Sequence, residues 1–144
     1  MANALYPLTR EKLLLKTIAF GWEGGDKRGL LVRTSGGGGG PYYTYATTHD
    51  FLNDVPNNSD CRPAAAVALT EASPANDGTA DADDFTFPTV ATGDAIQALV
   101  IYDHTGNEAT AELWAYYDTS TGLPVTPNGQ DINVAVNASG LFKI

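Results

Sequence analysis

AIQALVIYDHTGNEATAELWAYYDTSTGLPVTPNGQDINVAV, residues 95–136, contains three apolar runs separated by two turn-forming clusters, and this pattern decides the fold. The first run, Ala95 to Tyr102, is apolar at seven of eight positions and rich in β-branched and aromatic residues, as a strand buried on both faces requires. His104-Thr105-Gly106-Asn107 supplies turn chemistry. Glu112 to Asp118 then reads as the return strand of an antiparallel hairpin, with Leu113, Ala115 and Tyr117 on one face and Trp114 and Tyr116 on the other. Gly122, Pro124, Pro127 and Asn128-Gly129 exclude helix from the next segment. The third run alternates, with Ile132, Val134 and Val136 pointing one way and Asn133, Ala135 and Asn137 the other, so it predicts a strand with one buried and one wet face.

Outward from this stretch, Leu8 to Phe20 carries good helix formers, with Leu14 and Ile18, then Leu15 and Ala19, recurring four apart. A short amphipathic helix is expected there, with Thr9 as N-cap and Gly21 as its stop. Residues 1–6 read as an N-terminal tail. Leu30 to Thr34 reads as a strand, and the five glycines at 36–40 as a flexible tether within a Gly/Tyr loop at 35–46. A phosphate-binding loop needs Lys-Ser or Lys-Thr after its last glycine, where Pro41-Tyr42 stands. Phe51, Leu52 and Val55 predict a single helical turn, capped by Thr47 or Thr48 and closed by Pro56. PAAAVALT (63–70), DFTFPTV (84–90) and the terminal LFKI (141–144) complete the strand candidates. The fold expected is mainly β, an antiparallel β-sandwich or curled sheet of about six to eight strands forming one domain over 1–144, with one short N-terminal helix and long loops.

Composition narrows function. Eight Lys and Arg against 17 Asp and Glu leave a net charge of -9, which opposes nucleic-acid binding. No run approaches the ~20 apolar residues of a membrane span, so neither a membrane partner nor an export signal is expected. Cys61 is the sole cysteine and excludes an internal disulfide; a bridge between subunits stays open, beside the simpler role of a solitary thiol.

No catalytic constellation stands out. His49-Asp50 and Asp103-His104 are adjacent pairs, but no nucleophile elbow accompanies them. The acidic run with Asp77, Asp81, Asp83 and Asp84 misses EF-hand spacing, since Gly78 falls at position 2 and Pro88 at position 12 of such a loop. The expectation is of no enzyme activity, cofactor or metal. What the sequence does offer is surface to bury against neighbours: Leu14 and Ile18 on the helix, Tyr42, Tyr43 and Tyr45 in the loop, and Leu141, Phe142 and Ile144 at the carboxyl end. The tyrosines also admit stacking on sugars, beside a role as packing or interface groups.

ALVIYDHTG (98–106), LWAYYDTSTGLPVTPNGQDINV (113–134) and the terminal LFKI, with HDFLNDVP (49–56) and DADDFTF (81–87), together resemble a family of small virion structural proteins of tailed bacteriophages found among head genes. The pentaglycine and Cys61 depart from that family's pattern. The resemblance implies a non-enzymatic decoration or cement protein on the capsid exterior, made in the bacterial host cytoplasm, whose partners are the major capsid protein and copies of itself or other virion proteins. The alternatives are a glycan- or receptor-binding module on the virion and a tail or adaptor component. The family supplies no catalytic or ligand residues to carry over.

Overall fold

The computed structural model describes residues 3–18, 21–72 and 77–144. Among these residues the fold is mainly β with a single α-helix, and the paired strands are antiparallel. At its centre, β7 (Ala98–Asp103) pairs along its whole length with β2 (Lys27–Val32) and on its other side with β8 (Leu113–Tyr117). All six residues of β7 are buried, as the unbroken apolar run demanded. Two-residue strands extend this sheet at either edge, β1 (Ala4–Leu5) beside β8 and β3 (Val67–Ala68) beside β2, for the order β1-β8-β7-β2-β3. Two smaller sheets complete the fold: β10-β5-β4, from Phe142–Lys143, Thr79–Ala82 and Glu71–Ala72, and β6-β9, from Phe85–Phe87 and Ile132–Val134.

Each face of the central sheet carries its own apolar core. Leu30, Val32, Val100 and Tyr102 face the 43–61 segment, whose Tyr43, Leu52, Val55 and Cys61 cover them. Leu31, Leu99 and Ile101 point the other way, toward Phe85, Phe87, Ala80 and Ala82 of the two small sheets. Strand alternation alone produces this division. The hairpin departs from the expected alternation at one point. Ile101 pairs with Ala115 and Tyr102 with Leu113, so Trp114 is an extra residue, a β-bulge. Leu113 therefore joins Tyr116 in the first core, and Trp114 joins Ala115 and Tyr117 in the second.

The third run of the opening stretch keeps its alternation, with Ile132, Val134 and Val136 half-buried and Asn133, Ala135 and Asn137 exposed, but β9 lies in a different sheet from the hairpin. The tail expected at 1–6 is corrected for the residues described. Ala4 and Leu5 pair with Tyr116 and Ala115, and Tyr6 is fully buried with its amide on the Trp114 carbonyl at 3.0 Å. An open strand edge beside β8 offers unpaired backbone groups, and this segment satisfies them.

The helix α1 (Pro7–Leu15) is shorter than the pattern Leu8 to Phe20 predicted. Lys16 turns left-handed, with φ 55°, and its C-cap bonds to the Leu13 and Lys12 carbonyls end the helix before Gly21. Ala19 and Phe20 lie outside the described residues. Thr9 is not the N-cap, a position held by Tyr6 without a side-chain bond, with Pro7 opening the helix. The Thr9 hydroxyl instead donates to the Leu113 carbonyl at 2.5 Å and ties α1 to β8. Nor do Thr47 or Thr48 cap the turn at Leu52–Asp54, where the Asp54 carboxylate accepts the Asp50 and Phe51 amides at 2.8 and 3.1 Å.

Lys27 is fully buried at the start of β2. Its ammonium lies 3.3 Å from the Asp103 carboxylate, donates to the Gly24 and Gly21 carbonyls at 2.5 and 3.1 Å, and sits 4.7 Å from the centre of the Trp114 ring. Removing one partner of such a pair strands the other charge. Asp103→Asn is expected to destabilise the fold by about 3–5 kcal/mol, read as a drop in the urea midpoint at unchanged slope.

Candidate functional site

The residues proposed for burial against neighbours separate into a core group and a surface group. Tyr43 is fully buried beneath the central sheet. Its hydroxyl lies 2.5 Å from that of Tyr6 and 3.1 Å from His49 Nδ1. Burial, with neighbouring tyrosines adding to it, pushes both phenols above their ordinary pKa, so they stay neutral across the accessible pH range. Tyr45 is half-buried, its ring 5.3 Å from that of Tyr6 and 5.1 Å from that of Tyr116. Tyr42 is half-buried, with its hydroxyl sealed from water and unbonded among the described residues. These three side chains are therefore packing groups first, and Tyr43 presents no surface for an interface. The signal that could have shown this was Tyr6, an aromatic placed in a presumed tail.

The glycine loop beside them is tied down. Gly37 donates its amide to Asp94 Oδ2 at 2.6 Å and Gly40 to Asp60 Oδ2 at 3.0 Å. A Cβ at position 38 would stand 2.4 Å from Asp60 Oδ1, so the backbone approaches the carboxylate more closely than any side chain permits. The tether expected at 35–46 is instead a wrap over two carboxylates.

At the carboxyl end, Phe142 pairs with Ala80 and packs its ring 5.2 Å from that of Trp22. Leu141 is half-buried, while Ile144 is 66% exposed, beyond the last strand pairing. Lys143 bridges to Asp77 at 2.8 Å. The remaining acidic side chains of this region are distributed, and among the described residues no three metal-ligating groups converge.

The surface group centres on α1. Leu14 is 85% and Leu15 62% exposed, whereas Leu13 and Ile18 pack against the second core. The four-residue stripe Leu14–Ile18 is therefore broken where the helix ends. Arg10 lies one turn before Leu14 on the same face, and Lys16 follows Leu15. These are the two cationic side chains, among the described residues, without a carboxylate or carbonyl partner. Lys12 bonds Glu112, Lys27 Asp103, Arg28 Asp26, Arg62 Glu108 and Lys143 Asp77, while Arg33 is spent on backbone carbonyls. The end of α1 is thus an apolar, positively charged spot on an acidic protein. Thr9 and Lys12, bound to Glu112 and Leu113, anchor it to the sheet.

Two of the groups weighed for chemistry are engaged elsewhere. His49 serves Tyr43, and Cys61 is fully buried, its thiol pushed up by burial and bonded to the Arg33 carbonyl at 3.8 Å. A bridge from Cys61 to a second copy is closed off by that burial. No helix among the described residues is long and apolar enough to cross a membrane. No protein-family model matches the chain, and no curated protein matches it.

Two outcomes follow from these placements. Tyr43→Ala is expected to cost about 3–5 kcal/mol of stability, whereas Leu14→Ser stays within about 0.5 kcal/mol, both read by chemical denaturation. At the carboxyl end, the Lys143 ammonium, with Thr79 behind it, holds the Asp77 carboxyl down from 3.8 to about 2. A carboxyl depressed in the fold contributes its stabilisation above its free value and loses it as pH falls through about 2. The amide resonances of Phe142 to Ile144 are therefore expected to shift as acid passes through that range, and Asp77→Asn removes the step.

Proposed function

We propose that this chain is a non-enzymatic structural protein of a bacteriophage virion that decorates the outer surface of the head. The observation that carries this reading is the end of α1, where Leu14 and Leu15 stand in water on a helix anchored to the central sheet, between the two free cations Arg10 and Lys16. Exposed leucines lose nothing by moving into a partner's apolar pocket, and adjacent unpaired cations fix orientation on an acidic rim. The partner in this reading is the major capsid protein, with copies of this chain as lateral neighbours and the exposed Ile144 as a second apolar point. The motif resemblance of residues 98–106, 113–134 and 141–144 supports the same assignment.

Repetition over a lattice makes modest contacts sufficient. A small patch such as this falls below the roughly 1,200 Å² of a stable standalone complex, but copies that bridge neighbouring subunits add their contacts through multivalency. The test is to add purified protein to expanded heads that lack it and to count bound copies. Saturation at a fixed icosahedral multiple, lost in a Leu14→Glu, Leu15→Glu variant that keeps its denaturation midpoint, is the expected result. Binding to tails but not heads moves the protein to the tail, and binding to neither overturns the reading.

A further inference from the structure

A groove of about 780 Å³ lies on the second-core side of the central sheet, between β9 and the 119–125 loop. The loop contributes Leu123 and Val125, β9 and its continuation contribute Ile132, Val134 and Val136, and the buried Leu99 lies beneath. Hydroxyls and side-chain amides make up the polar part of the rim, and no charged side chain lines the groove among the described residues. Charge stands only at the two ends of the β9 side. Asp131 precedes Ile132 and accepts the Thr89 amide at 2.7 Å, while Asp84 accepts the Val136 amide at 2.7 Å. Both carboxylates are exposed, and neither meets a lysine or arginine among the described residues.

The end of α1 is the complement of this groove. Leu14 and Leu15 are uncovered apolar side chains, with Arg10 on one side of them and Lys16 on the other. From Arg10 to Lys16 a helical backbone advances about 9 Å, and from Asp131 to Val136 an extended one advances about 17 Å. The long cationic side chains reach past the helix at both ends and make up the difference. A chain of net charge -9 repels its own copies in most orientations, so an approach that sets its free cations on free carboxylates while covering leucines is selected over the others. The groove cannot be filled from within the same copy. Thr9 and Lys12 fix α1 to Leu113 and Glu112 at one end of β8, whereas the groove includes Tyr117 at the other.

We propose that the groove along β9 is a socket for the end of α1 of a second copy of this chain, with Leu14 and Leu15 on its apolar floor and Arg10 and Lys16 on Asp131 and Asp84. Knob and socket at opposite ends of one strand make a head-to-tail joint, in which each copy gives its leucines to one neighbour and receives those of another. The inference rests on the reading of the α1 end as a contact surface. It goes beyond that reading in naming a second socket, one that a neighbouring copy supplies and that the capsid protein replaces wherever it takes the same leucines.

The test is sedimentation equilibrium of the full chain at concentrations up to about 1 mM, where a joint this small is populated. The mean mass is expected to rise above that of the monomer as concentration rises. The Leu14→Glu, Leu15→Glu variant and a Val134→Lys variant, which places a cation in the groove, are each expected to associate at least about tenfold more weakly. Mixed in equal amounts they are expected to form a one-to-one dimer that grows no further, because one keeps the socket and the other keeps the knob. Should Val134→Lys lower the denaturation midpoint, Thr121→Lys, at an exposed position of the rim, takes its place. A wild-type chain that stays monomeric throughout overturns the proposal, as does a mixture that does not dimerise or an association that the groove variants leave unchanged. The groove variants keep their leucines, so counting them on heads separates the two readings. Head binding by a chain that never self-associates overturns the joint alone, and self-association without head binding overturns the capsid reading alone.

Discussion

A buried ammonium sets the geometry of this protein. Lys27 has no contact with water, so its charge has to be answered entirely by the groups that the fold brings to it: the Asp103 carboxylate, two carbonyls of the 21–24 turn and the face of Trp114. Each of these comes from a different element. Asp103 is the register partner of Lys27 across β2 and β7, so the ion pair and the strand pairing specify one another. Trp114 is the bulged residue of β8, and only the bulge turns its ring to the side where Lys27 lies. The turn closes over the same carboxylate. A Cβ at Gly25 would come within 2.4 Å of Asp103 Oδ1, and its φ of +79° belongs to the region glycine tolerates best.

From that corner the two cores divide the work. The first is rich in hydroxyls, with Tyr6, Tyr43 and His49 linked by short contacts and Cys61 sealed among them. The second is drier, built from Trp22, Trp114, Phe85, Phe87 and Phe142. His49 and Cys61, which looked available for chemistry in the sequence, are spent on the first core. What stays outside, Leu14 and Leu15 with Arg10 and Lys16, offers surface for contact.

Strong, local signals were legible in the residue order. A six-residue apolar run buried on both faces, a turn at 104–107 and a return strand require no long-range information, because side-chain alternation and turn chemistry are local properties. The alternation of Ile132, Val134 and Val136 survived for the same reason. The helix was visible as an element, but its end was not: the stop at Lys16 is a backbone choice that removes Leu14 and Leu15 from the expected packing stripe.

The sequence by itself determined a mainly β chain with one helix and two histidines and one cysteine to spend, since composition and period are fixed by the residues alone. Only the tertiary structure decided which tyrosines are core, which leucines are surface and where polar groups meet. Residues 4–6 show why: a short segment without a period of its own becomes a strand only because β8 presents an edge for it to satisfy. The bulge at Trp114 shows the same dependence, because one extra residue reverses every later face and no local pattern announces it.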